Sequence, residues 1–220
     1  MIVKVTQTSS NVKQSFDVEL GEKNYVGETG RFSRFQSVTL KRGDTILEGR
    51  YYLTKWKNYI PLRPVFGIEN LTKAYRILRN GEPCGSMALS KHGFLKNRYV
   101  ITLDDGAVLY CYKRLKGSFG YVSVYCGDEQ IALIETYLNV NDLKYTHKLY
   151  LPDEYSRYSD VLSLFVLYYA NLNFTKRFHM SRGSRYRKAW TVSRYNGKYD
   201  PKWLENHFPN ENYFGKISSD

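Results

Sequence analysis

A chain of 220 residues with 42% hydrophobic side chains can bury one substantial core, as a single large domain or as a smaller domain with an appended segment. Its 33 Lys and Arg against 21 Asp and Glu leave a net charge of +12. That excess points to nucleic acid, an anionic membrane surface or an acidic protein as partner, although a merely cationic protein would carry the same number. No apolar stretch of signal-peptide length follows Met1, and Cys84, Cys111 and Cys126 form no Cys-x-x-Cys pair. This argues against secretion, a zinc site or a disulfide framework, and fits a cytoplasmic protein whose three cysteines are small buried hydrophobes.

Tyr, at 21 residues, tilts the composition toward strands, because aromatic side chains suit pleated, half-buried surfaces. In the first third, alternating apolar and polar residues predict strands over Ile2–Thr6, Lys13–Leu20, Phe35–Lys41 and Thr45–Leu53, with a short one near Tyr59–Pro61. Glu28-Thr-Gly-Arg-Phe-Ser-Arg reads as a loop. The middle third is more regular. Ala74–Arg79 meets Cys84–Leu89 across Asn80-Gly81, a strong hairpin signal because a tight turn needs positive φ. Asp104-Asp105-Gly106 and Gly127-Asp128 mark the same device twice more, and Tyr145–Leu151 ends the series at Pro152. The expectation is an antiparallel meander, with roughly twelve strands in all by the count of apolar runs.

The pattern then changes. Pro152-Asp-Glu-Tyr-Ser-Arg-Tyr-Ser-Asp carries helix-start chemistry and opens into Val161–Ala170, where only Ser163 is not apolar. A helix there, near 156–172, is apolar on every face, so it must be buried all round. The run falls well short of the roughly 20 residues a membrane span needs. Threading a closed barrel would bury every face and would also remove exposed strand edges. The fold class is therefore mainly β: a closed antiparallel barrel of about twelve strands around a central apolar helix.

Twelve strands followed by a late apolar helix resemble the tubby C-terminal-like superfamily, which includes the phospholipid scramblases and LURP-one-related proteins. The resemblance rests on Tyr75-Arg-Ile-Leu-Arg-Asn-Gly-Glu-Pro-Cys-Gly, on Tyr99-Val-Ile-Thr-Leu-Asp-Asp-Gly-Ala-Val-Leu, and on Tyr150-Leu-Pro-Asp-Glu leading into Val161–Ala170. It implies a tubby-like barrel over residues 1–175; many relatives stop soon after the helix, whereas this chain runs on as a basic, aromatic C-terminal extension, 176–220, expected to pack on the barrel. Within the superfamily the chain most resembles bacterial members, whose role is generally uncharacterised. Phosphoinositide binding by tubby proteins depends on a basic pattern that this chain does not show, so no site is carried over. Asp153, Glu154 and Asp160 are too few for the acidic segment of scramblases.

No catalytic motif is present, and no cofactor or metal site is expected. His92, His147, His179 and His207 stand apart in sequence, and the acidic pairs Asp104–Asp105 and Asp128–Glu129 fall at turns. The best candidate surface lies in residues 174–190. There Lys176, Arg177, Arg182, Arg185, Arg187 and Lys188 would meet phosphates or anionic headgroups, and Phe178, Tyr186 and Trp190 would stack on bases or sit at a membrane interface. A solvated basic strap is the competing reading. Farther on, Asp200-Pro201 would start a short helix through Glu205, with Trp203, Phe208 and Phe214 as anchors on the barrel or on another subunit. The expected function is non-enzymatic binding, peripheral to an anionic membrane. A nucleic-acid module, a protein-interaction scaffold and an enzyme with a cavity at the barrel mouth are the rivals.

Overall fold

A computed structural model describes residues 1–10, 14–21, 23–30, 37–51, 70–92, 96–116, 119–139, 144–173 and 198–211. Twelve strands run in chain order: β1 (Ile2–Ser10), β2 (Gln14–Leu20), β3 (Lys23–Gly30), β4 (Ser37–Arg42), β5 (Thr45–Tyr51) and β6 (Asn70–Arg79). The second half comprises β7 (Glu82–His92), β8 (Lys96–Leu103), β9 (Val108–Lys116), β10 (Phe119–Cys126), β11 (Glu129–Asn139) and β12 (Lys144–Tyr150). Each pairs antiparallel with its neighbours in sequence. β1 closes the barrel by pairing with β12, Val3 opposite Leu149, as well as with β2, Val5 opposite Val18. Closure leaves no edge strand among the described residues.

A 3-10 turn, Asp153–Tyr158, leads into helix α1 (Ser159–Asn173), which runs inside the barrel. Val161 through Asn171 are all buried, as a helix apolar on every face requires. Ser163 fits this setting because its hydroxyl donates to the Ser159 carbonyl at 2.7 Å. Around it, inward residues such as Val3, Val18, Leu40, Ile101 and Leu149 complete the core. Aromatic rings meet the helix edge to face: Tyr75 against Tyr168 at 4.9 Å, and Tyr99 against Phe165 at 5.5 Å.

The helix runs closest to β3, β4 and β5; Gly27 makes room for it on β3, while Gly49 makes room for neighbouring strand side chains. A Cβ on Gly27 would stand 2.8 Å from Leu167 Cδ1, and one on Gly49 would meet Met87 Cε and Val38 Cγ2. β3 corrects the sequence reading, since Glu28–Gly30 belong to this strand and not to a loop. Its inward positions are Tyr25, Gly27 and Thr29, and a glycine at the point of closest approach hides the alternation. The expected strand near Tyr59–Pro61 lies outside the described residues.

The two ends of the barrel differ in kind. At one, called here the turn end, short connections join β2 to β3, β4 to β5, β6 to β7, β8 to β9 and β10 to β11, and the helix enters. Asn80 and Gly81 both have positive φ, as the hairpin signal requires, and the Asn80 side chain accepts from the Ile46 amide at 2.8 Å. At the far end, β1 is joined to β2, β3 to β4, β5 to β6, β7 to β8, β9 to β10 and β11 to β12, and helix α1 finishes at Asn173.

A second, smaller cluster lies outside the barrel. Helix α2 (Trp203–His207) sets Trp203 and Leu204 onto Tyr121, Leu133 and Tyr150, outward residues of β10–β12. The Trp203 indole donates to the Gln130 carbonyl at 2.7 Å, and Ser123 donates to the Lys198 carbonyl at 2.8 Å. Of the expected anchors, Trp203 and Phe208 pack here, while Phe214 lies outside the described residues.

Candidate functional site

The basic and aromatic residues singled out in the sequence, Lys176, Arg177, Phe178, Arg182, Arg185, Tyr186, Arg187, Lys188 and Trp190, all lie outside the described residues. What the fold supplies is where their segment begins and ends. Residues 174–197 leave the helix at Asn173, at the far end, and rejoin the described chain at Lys198, on the outer wall.

The far end is also where the lumen changes character. Along β1 the inward residues are Val3, Val5 and then Gln7; along β12, read back from the turn end, they are Leu149 and then His147. β2 ends its inward series at Gln14, β3 at Thr29, and Thr136 follows Ile134 on β11. Five adjacent strands thus turn a buried polar group inward at the same end: Gln7, Gln14, Thr29, Thr136 and His147. Sequence reasoning missed them because each looks like one more polar residue at a strand end. The signal was parity, since every one continues the inward side of its alternation.

Within this arc Thr136 Oγ1 lies 2.9 Å from His147 Nδ1, and the Gln7 side-chain oxygen accepts from the Tyr145 amide at 3.3 Å. Burial pushes the His147 pKa down to about 3, so the ring is neutral at physiological pH. Across the helix, β9 turns Leu109, Cys111 and Lys113 inward. Lys113 Nζ donates to Asn173 Oδ1 at 2.9 Å, and Asn173 Nδ2 donates to Tyr99 OH at 3.0 Å. The ammonium faces the carbonyl end of α1, which favours a cation, while burial pulls its pKa downward. Burial also pushes Tyr99 up to about 12.

The turn end carries a surplus of exposed acids. Exposed Asp44, Glu82, Asp104, Asp105, Asp128, Glu129, Asp153 and Glu154 stand at the turn end, against Arg42, Arg79, Arg157, the Met1 amino group paired with Asp153 and Lys198 paired with Asp128. In sequence, the six connections that join strands at the far end contain six Lys and Arg and two acids, Glu69 and Asp142, and residues 174–197, which run from Asn173 to Lys198, contain seven Lys and Arg and no acid. The surplus at the turn end is not visible in the sequence, because meander topology interleaves the two ends.

The outer wall is charged along its strands, with Lys4, Asp17, Glu19, Arg50 and Arg76 exposed. A barrel spanning a bilayer needs an apolar outer band, and this one has its apolar side within. No helix among the described residues is long and apolar enough to cross a membrane. Nor do the described residues contain a group of three or more His, Cys, Asp or Glu that could hold a metal. Two cysteines depart from expectation: Cys111 is buried, whereas Cys84 and Cys126 are partly exposed. No protein-family model, curated protein or solved structure matches the chain.

Proposed function

We propose that this chain is a cytoplasmic, non-enzymatic binding protein of the tubby-like kind that docks on an anionic membrane surface through the far end of its barrel. The observation that carries this reading is the division of charge. The turn end has a surplus of exposed acids, and the sequence from 174 to 197, which begins at the opposite end after Asn173, holds seven Lys and Arg and no acid. A barrel with an acidic turn end orients in the field of an anionic leaflet with that end away from the lipid. Aromatic residues interleave with those bases, among them Trp56, Phe66, Phe178 and Trp190, as suits an interface where rings sit at headgroup level. The lumen supports binding over catalysis, because the helix and its aromatic ring cluster occupy it.

Cosedimentation of the purified chain with neutral and phosphatidylserine-containing vesicles across a salt series tests the reading, with a single-stranded RNA mobility shift in parallel. The expected result is binding to anionic vesicles alone that weakens as salt rises. Replacing Arg182, Arg185, Arg187 and Lys188 together by Ala should weaken it further. Tighter binding to RNA would transfer the surface to nucleic acid, and no binding to either at low salt would refute an electrostatic role.

A further inference from the structure

We infer that the outer face of β10, β11 and β12 near the turn end is an exchangeable docking surface, whose partner is residues 198–211 of a second copy of this chain. Each copy then gives its segment and receives the other's, which closes a dimer. This inference is separate from the anionic surface proposed above and does not depend on it.

The argument begins with one row of side chains. Strand register sets Ile2, Tyr150, Leu133 and Ser123 side by side across β1, β12, β11 and β10. All four point outward, on a wall that elsewhere carries Lys4, Asp17, Glu19 and Arg50. Tyr121 adds a further ring two residues back along β10. Large apolar groups gathered on an outer wall mark a surface made to be covered. Trp203, Leu204 and Phe208 cover it, with the Phe208 ring 5.4 Å from that of Tyr150.

The segment is built as a ligand would be. Asp200 Oδ1 accepts from the Lys202 amide at 2.9 Å and the Asp200 carbonyl from the Trp203 amide at 3.2 Å, so the start of α2 is organised by the segment's own groups. The surface answers with Gln130, whose carbonyl takes the Trp203 indole and whose side-chain oxygen takes the Asp200 amide at 3.3 Å. Asp128 pairs with Lys198 at 2.9 Å, and Arg114 lies over the Tyr199 ring at 4.7 Å. These contacts run to β9, β10, β11 and the β10–β11 turn, so the segment of a second copy meets the same partners. The sequence that satisfies this surface is the chain's own, which makes a second copy the partner.

Chain length puts that second seat within reach. Helix α1 ends at Asn173 at the far end, whereas Lys198 pairs with Asp128 at the turn end. The 24 residues from 174 to 197 have a contour of about 80 Å, against about 27 Å for the eight residues of β10. A tether of that contour reaches its own barrel or a neighbour's. The two seatings make the same contacts and differ in the freedom of the tether, which gives the chain's own segment an effective concentration in the millimolar range. The closed monomer therefore prevails in dilute solution, and the exchanged dimer grows as the chain concentration approaches that value.

Sedimentation velocity on the full chain and two variants provides the test. Trp203→Ala removes the anchor of the segment and keeps the surface, whereas Leu133→Lys spoils the surface and keeps the segment. Each variant alone should remain monomeric, and their equimolar mixture at about 0.2 mM should form a one-to-one dimer. The wild type should pass from monomer at about 10 µM toward dimer at about 1 mM and revert on dilution. In isotopically labelled Trp203→Ala chain, added unlabelled Leu133→Lys chain should move the amide signals of Gln130 and Leu133 toward their wild-type positions. A monomeric mixture, or a wild type still monomeric at about 1 mM, overturns the inference. Self-association of either variant at wild-type strength overturns it as well, by placing the interface elsewhere. Should Leu133→Lys fail to fold, a synthetic peptide of residues 198–211 takes its place. It should move the same signals of the Trp203→Ala chain, and no movement overturns the inference.

Discussion

Leu167 of the central helix lies directly over Gly27 of β3, so near that a single added methyl would stand 2.8 Å from Leu167 Cδ1. The helix touches the barrel wall at that point through bare backbone. Gly27→Ala should therefore destabilise the chain by about 1–3 kcal/mol through overpacking, and Leu167→Ala by about 2–5 kcal/mol through a cavity. Denaturant unfolding of the two variants checks both values. Combining them should cost less than their sum, because the shortened side chain vacates the space the new methyl needs.

The Asn80-Gly81 turn joins two hairpins as well as closing one. Asn80 has φ +51°, its amide donates to the Ile46 carbonyl at 2.8 Å, and its side chain accepts from the Ile46 amide at 2.8 Å. Asn80→Ala should cost about 1–2 kcal/mol by combining a strained φ with a lost hydrogen bond. Asn80→Gly should cost less, since it relieves the backbone while losing the same bond. Thermal melts of the pair separate the two contributions.

Burial of His147 makes stability fall in mild acid. Its pKa drops from the ordinary 6.5 to about 3 in the fold, so between those values the unfolded chain binds a proton that the folded chain refuses. The His147 contribution is thus complete above about pH 6.5. Below that it is lost at roughly 1 kcal/mol per pH unit until the folded pKa is reached. Urea unfolding at pH 7, 6, 5 and 4 should show this slope, and His147→Gln should flatten it over the same window.

Trp203 holds the outer segment in place by burial and by its 2.7 Å bond to Gln130. Trp203→Phe should keep most of the packing and cost about 1 kcal/mol, whereas Trp203→Ala should release residues 198–211 from the wall. Limited proteolysis reads the difference as rapid cleavage in this segment for the Ala variant, with the barrel left intact.

Much of the fold was legible because its signals are local. Positive φ at Asn80 and Gly81, the Gly127-Asp128 turn and the nearly unbroken apolar run from Val161 through Ala170 each report a short-range constraint. β3 was not legible, because Gly27 and Gly30 dilute its pattern and its reason for being a strand is a helix about 140 residues later in the chain. The polar arc was hidden for a related reason. Gln14 and Thr29 become neighbours only through strand register, and the inward face of each strand is known only once the barrel has closed. The acidic surplus of the turn end likewise needs the topology, since consecutive connections alternate between the two ends.

Hydrogen exchange of the full chain, with and without phosphatidylserine vesicles, tests the central claim most directly. The account predicts that protection appears in peptides from residues 31–36, 52–69 and 174–190, while those covering Asp104–Ala107 and Gly127–Glu129 exchange unchanged. Protection centred on the turn-end peptides, or none at vesicle concentrations that sediment the protein, would contradict it.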